Sequence, residues 1–154
     1  MMNDMRLRPK SDYLKTANWE QLYVLCEHWR DDMGFYLDEL KFFQKLINKY
    51  FLWLAKDENV AKAEAIFVDV KKGTLEAKWL EGAICEHMRH ISDLMKNAFS
   101  RDAQEFRQDH AVLEDKMVEF TKLFRKLKAE VFAVTEYIME TEDLPARMPY
   151  KERS

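Results

Sequence analysis

Proline and glycine are scarce in this sequence. Each occurs three times in 154 residues, and the prolines are Pro9, Pro145 and Pro149, so residues 10–144 contain none. Proline breaks a helix interior because it lacks an amide hydrogen and clashes with the preceding turn. Its absence allows long uninterrupted helices. The content of 47% hydrophobic and 34% charged residues is typical of a folded helical protein rather than a disordered chain.

The signatures of several functional classes are also missing. A net charge of -3, with lysines interleaved among acids, argues against a nucleic-acid-binding surface. No apolar run approaches the ~20 residues that cross a membrane, and Met1–Lys10 has no apolar signal-peptide segment. The two cysteines, Cys26 and Cys85, are interpreted as reduced thiols of a cytoplasmic protein. Without a phosphate-binding glycine loop, a Cys-x-x-Cys pair or a Ser-His-Asp elbow, we favour a protein that is not an enzyme.

Apolar residues recur at alternating intervals of three and four along three segments of the chain. This spacing is that of a helix face packed against other helices. The three runs extend over residues 19–54, 60–98 and 103–138. The spacing loses its phase between consecutive runs, which indicates turns near residues 57 and 99.

These runs predict an all-α fold, an antiparallel up-down-up bundle of three long helices with flexible terminal arms. The predicted helices cover about 18–55, 58–98 and 101–142. The predicted divisions are an N-terminal arm at 1–16, the helical bundle at 17–143 and a mobile C-terminal tail at 144–154.

Helix ends and one weak point can also be predicted. Asn18 with Gln21 three residues later forms a capping box that opens the first helix. Ser100 is predicted to cap the third helix, with Asp102 in its first turn. Gly73 lies inside the second helix, where a glycine costs roughly 1 kcal/mol relative to alanine, so a kink is one outcome there.

The first helix carries a second apolar stripe beside its main one. Two interpretations stay open, a broader core face or an interface with a partner protein or a second copy of the chain. The stripe residues that would form such an interface are Phe35, Phe42, Leu46 and Trp53.

A short motif occurs twice, as Cys-Glu-His-x-Arg in residues 26–30 and again in 85–89. In an antiparallel pair of helices, residues at one level are equally far from the turn. The midpoint of His28 and His87 lies in the first predicted turn, and the midpoint of His87 and His110 lies beside the second. One histidine from each helix, with both cysteines, is therefore predicted to lie in a single layer.

This layer has two interpretations. Inward imidazoles and carboxylates from several helices are how bundles bind transition metals, here zinc, iron or manganese. The candidate ligands are His28, His87, His90, His110 and Glu114. Alternatively, the buried polar residues set the helix register and bind no cofactor. Cys26, at an inward heptad position, is interpreted as a small core residue.

Two functions follow from these observations. The first is a non-enzymatic bundle that acts through protein–protein contact, including contact with a second copy of itself. The second is a metal-binding or redox bundle that uses the histidine layer. Neither a nucleic acid nor a membrane is an expected partner.

Overall fold

Three α-helices make up the described chain. A computed structural model describes residues 17–50 and 59–142, and no strand occurs among them. The helices are α1 (Trp19–Lys49), α2 (Asn59–Lys96) and α3 (Ala103–Glu142). They pack against one another, which confirms the predicted all-α, antiparallel, up-down-up bundle. The predicted N-terminal arm, first turn and C-terminal tail fall outside the described residues.

The helix ends show one confirmed cap and one correction. The backbone amide of Asn18 donates to Oε1 of Gln21, and the amide of Gln21 donates to Oδ1 of Asn18, both at 2.8 Å. This is the predicted capping box. At the start of α3 the cap is Asp102 and not Ser100. The carboxylate of Asp102 accepts from the amides of the second and third helical residues, at 2.9 and 3.1 Å. One oxygen thus satisfies two amides that have no partner within the helix.

Gly73 does not interrupt α2, which runs without a break from Asn59 to Lys96. A Cβ atom at this position would lie 2.9 Å from Cδ1 of Leu127 on α3. Leu127 is 1% exposed. The glycine therefore gives room to a core side chain, which accounts for its place inside a long helix.

The chain divides into two compact units, each of which contains part of every helix. The described residues of the first unit are 17–37 and 75–122. Its interior combines large apolar side chains such as Trp29, Ile84 and Phe120 with three buried polar ones. The buried polar residues are His87, His110 and Glu114.

The described residues of the second unit are 38–50, 59–74 and 123–142. Its interior is built on aromatic contacts. The ring of Phe43 stacks on Phe124 with centroids 5.9 Å apart, and meets Phe132 edge-on at 5.8 Å. Leu40, Val70 and other aliphatic residues fill the space around these rings.

No helix in the described part of the chain combines the length and the apolar character that crossing a membrane requires.

Candidate metal centre

Three potential metal ligands meet in the interior of the first unit, one from each helix. They are Cys26 on α1, His87 on α2 and His110 on α3. The thiol sulfur and one ring nitrogen from each histidine all lie within 4.8 Å of one another. Exposure of the three residues is 0%, 6% and 1% respectively. These three residues are called the Cys-His-His cluster below.

Aromatic neighbours hold both imidazole rings in place. The ring of His87 lies nearly parallel to Phe106, at 7° and with centroids 4.3 Å apart. The ring of His110 stacks on Trp29 at 25° and 5.0 Å. Between the two histidines, Nε2 of His87 and Nδ1 of His110 share a hydrogen bond of 2.9 Å. Because flat rings flank the imidazoles, rotation about their side-chain bonds is restricted.

Burial keeps all three members of the cluster uncharged at neutral pH. Burial and the nearby charge of His90 lower the pKa of His87 to about 4. Burial, followed by His87 and Arg107, lowers the pKa of His110 to about 3. Burial raises the pKa of the Cys26 thiol to about 12. Two neutral imidazoles are ready to donate lone pairs, whereas the thiol has to lose a proton before it binds a metal.

Two buried nitrogen atoms beside the cluster have no hydrogen-bond partner among the described residues. They are Nε2 of His110 and Nε1 of Trp29, on the two stacked rings. Leaving a buried polar atom without a partner costs on the order of 1–3 kcal/mol. A layer that only sets the helix register is expected to satisfy such atoms. A bound ion or an ordered water would supply the partner.

Other predicted ligands lie outside the cluster. His28 is exposed, although its neighbour Cys26 is buried. His90 bonds instead to Oε2 of Glu86, one turn earlier on α2, at 3.0 Å. Glu114 is 4% exposed, but its carboxylate does not belong to the group of converging ligand atoms. Cys85 is an exposed free thiol.

Cys26 is buried, as predicted for a core residue, but its thiol also converges with the two imidazoles although it is not among the predicted ligands. The signal that could have identified it is the combination of two patterns. Cys26 belongs to the repeated motif and also occupies an inward heptad position. His28 belongs to the motif but does not occupy an inward position.

The residues of the second apolar stripe are also placed differently from one another. Phe35, in the first unit, is 54% exposed. In the second unit Phe42 is half-buried and its ring contacts Phe43, while Leu46 is 4% exposed. Trp53 lies outside the described residues.

The cluster has the dimensions of a metal site. Zinc bonds of about 2.0–2.1 Å to nitrogen and 2.3 Å to sulfur place tetrahedral ligand atoms roughly 3.3–3.6 Å apart. The present spread of up to 4.8 Å, with 2.9 Å between the two imidazole nitrogens, is within small side-chain movements of that arrangement. A metal bound there would replace the hydrogen bond between the histidines.

Comparisons of the chain with protein-family models, with curated proteins and with solved structures found no match. The chemistry of the Cys-His-His cluster is therefore inferred from its own residues.

Proposed function

We propose that this protein binds a transition metal ion, with zinc favoured, through Cys26, His87 and His110. The convergence of one thiol and two imidazoles in a buried layer is the observation that carries the proposal. Of the metals expected from the sequence, zinc fits a thiolate and two imidazoles best. Manganese prefers oxygen ligands, and non-haem iron commonly pairs two histidines with a carboxylate.

The unpartnered Nε1 of Trp29, whose ring stacks on His110, supports the same proposal. A bound metal would draw on the lone pairs of the imidazoles and turn the Cys26 thiol into a thiolate. A thiolate is a hydrogen-bond acceptor, which gives the indole of Trp29 a potential partner beside the site.

Metal binding can be tested with protein purified without a chelator or a histidine tag. We expect about one zinc ion per chain, and cobalt should produce a thiolate-to-cobalt charge-transfer band. Cys26→Ala and His110→Ala should each weaken zinc binding roughly a hundredfold or more, because each ligand supplies a share of the 10–16 kcal/mol typical of structural zinc. Circular dichroism would check that both variants stay folded.

Matched controls are present in the chain. Cys85→Ala and His28→Ala remove a thiol and an imidazole that are exposed, and both should leave zinc affinity unchanged. The proposal fails if neither zinc nor cobalt binds near stoichiometry. It also fails if the charge-transfer band survives in Cys26→Ala and disappears in Cys85→Ala.

Self-association is a second candidate function, and the exposure of Phe35 favours it. A phenylalanine that is 54% exposed in the middle of a helix leaves apolar area available for contact with another chain. We expect sedimentation velocity to detect a dimer that Phe35→Ala weakens. A monomer at all accessible concentrations would rule this function out.

A further inference from the structure

A groove of about 250 Å³ lies between α2 and α3 in the first unit. Its apolar wall includes Trp79, Val112 and Leu113. Trp79 and Val112 are 56% and 55% exposed, so solvent reaches both side chains. Nζ of Lys116 lies over the indole of Trp79, 5.4 Å from its centroid. The groove thus offers a flat aromatic surface with a positive charge beside it.

The groove reaches the Cys-His-His cluster at a single residue, His87. This side chain lines the groove and also directs Nε2 into the cluster. His87 is 6% exposed, so the buried layer approaches the surface at this residue. A molecule in the groove would therefore contact the side chain whose Nε2 points into the cluster.

The ligand count leaves a coordination position to fill. Zinc is usually four-coordinate, and sites with three protein ligands hold water or a small molecule in the fourth position. One thiolate and two neutral imidazoles around a divalent ion leave a net charge of +1. In a buried site this charge favours an anionic fourth ligand, since an unbalanced buried charge is costly.

The acids at the groove weaken this preference only in part. Glu86 is already bonded to Arg89 and His90 on its own helix. Asp109 is exposed to solvent, where its charge is screened.

On these grounds we propose that the groove binds a small aromatic carboxylate, whose carboxylate takes the fourth position on the metal and whose ring packs against Trp79. The proposal rests on the metal site proposed above. The size of the groove suits a ligand of ~10–15 non-hydrogen atoms, below the range of drug-sized pockets. Most of its affinity would come from the metal–carboxylate bond, and its selectivity from burial of the ring.

Cobalt-loaded protein provides the test, because the ligand-field spectrum of cobalt reports a change in its fourth ligand. Three probes separate the contributions: acetate supplies the carboxylate alone, 3-phenylpropanol the ring alone, and 3-phenylpropanoate both. We expect 3-phenylpropanoate to change the spectrum with at least tenfold higher affinity than acetate. The alcohol should not change the spectrum.

Variants of the groove should remove this advantage without affecting cobalt binding. Trp79→Ala removes the ring surface, and Val112→Glu adds a negative charge that repels the probe. Each should reduce the affinity for 3-phenylpropanoate about tenfold, and Trp79→Ala, which adds no charge, should leave that for acetate within twofold. Phe99→Ala and Val24→Glu are the controls, because these exposed residues do not line the groove, and neither should alter binding.

The outcomes distinguish the two proposals. If cobalt fails to bind, the metal site and the groove ligand are both wrong. If cobalt binds but 3-phenylpropanoate is no better than acetate, the groove proposal alone is wrong. The same holds if Trp79→Ala and Val112→Glu bind the probe as well as the unmodified protein does.

Discussion

The interiors of the two units follow the same helical spacing but differ in chemical character. In the second unit the described core is aromatic and aliphatic, centred on Phe43 and Phe124. One of its buried hydroxyls, on Thr135, donates to the carbonyl oxygen of Val131 within the same helix at 2.8 Å. In the first unit equivalent inward positions hold Cys26, with His87 and His110 beside it.

Inward heptad positions therefore have two different roles in this protein. Apolar inward residues stabilise a bundle through burial alone. Inward histidines bring polar atoms that need partners, and some of these atoms are not satisfied within the described residues of the first unit. We therefore expect core substitutions in the second unit to change stability alone, and substitutions of the Cys-His-His cluster in the first unit to change metal binding.

The largest expected effect of a single substitution is on stability. Phe43→Ala removes a ring that is 0% exposed and should lower the free energy of unfolding by about 3–5 kcal/mol. Its zinc affinity, measured where the variant is still folded, should not change. Cys26→Ala should behave in the opposite way, with a small change in metal-free stability and a large loss of zinc affinity. Denaturant unfolding and zinc titration of both variants measure these effects. Equal losses of zinc affinity would contradict the separation of roles.

The next effect is a loss of stability at acidic pH. In the metal-free protein the pKa values of His87 and His110 are about 4 and 3, below the usual 6.5 of an unfolded chain. Between the pKa values of the folded protein and the pKa of the unfolded chain, the unfolded state binds more protons than the folded state. The free energy of unfolding therefore falls as the pH falls. The loss should begin near pH 6.5, reach on the order of 3 kcal/mol per ring near pH 4 and level off below pH 3.

Urea unfolding at a series of pH values would measure this loss. A His87→Phe, His110→Phe double variant should lose much less stability over the same range. A pH dependence identical to that of the unmodified protein would assign the effect to other groups.

Metal binding should show a steady pH dependence that comes from the Cys26 thiol and not from the imidazoles. Because burial holds the Cys26 pKa near 12, zinc has to displace one proton from the thiol, and the imidazoles have none to release at neutral pH. Zinc affinity should therefore rise about tenfold per pH unit between pH 6 and 9. Calorimetry in buffers of different ionisation enthalpy would count the released protons. Release of none would show that Cys26 is not bound as a thiolate.

The smallest effect is expected at the glycines. In the first unit, Gly82→Ala should stabilise the protein by about 0.5–1 kcal/mol, because its Cβ would meet nothing within 4 Å. In the second unit, Gly73→Ala gains the same helix propensity but has to displace Cδ1 of Leu127. Its net effect should be smaller or destabilising. Thermal unfolding of the two variants compares them directly, and an equal gain in both would mean that Leu127 moves aside freely.

The sequence by itself determined the helices and their order. Apolar spacing predicted three helices, the Asn18–Gln21 capping box predicted the start of α1, and the midpoint of His87 and His110 predicted that these two rings lie at one level. Each of these properties depends on residues close in the chain or on simple antiparallel geometry.

Only the tertiary structure decided which inward side chains at that level converge. The heptad spacing places Cys26 inward, but it does not say which side chains the thiol meets there. Cys26 and His28 are two residues apart, which on a helix is a rotation of about 200°, so only one of them can face the interior. The rotation of each helix about its axis is set by the packing of all its neighbours together and not by one local motif. For this reason the level of the two histidines could be predicted from the sequence, while the convergence of the Cys26 thiol with them and the adjoining groove could not.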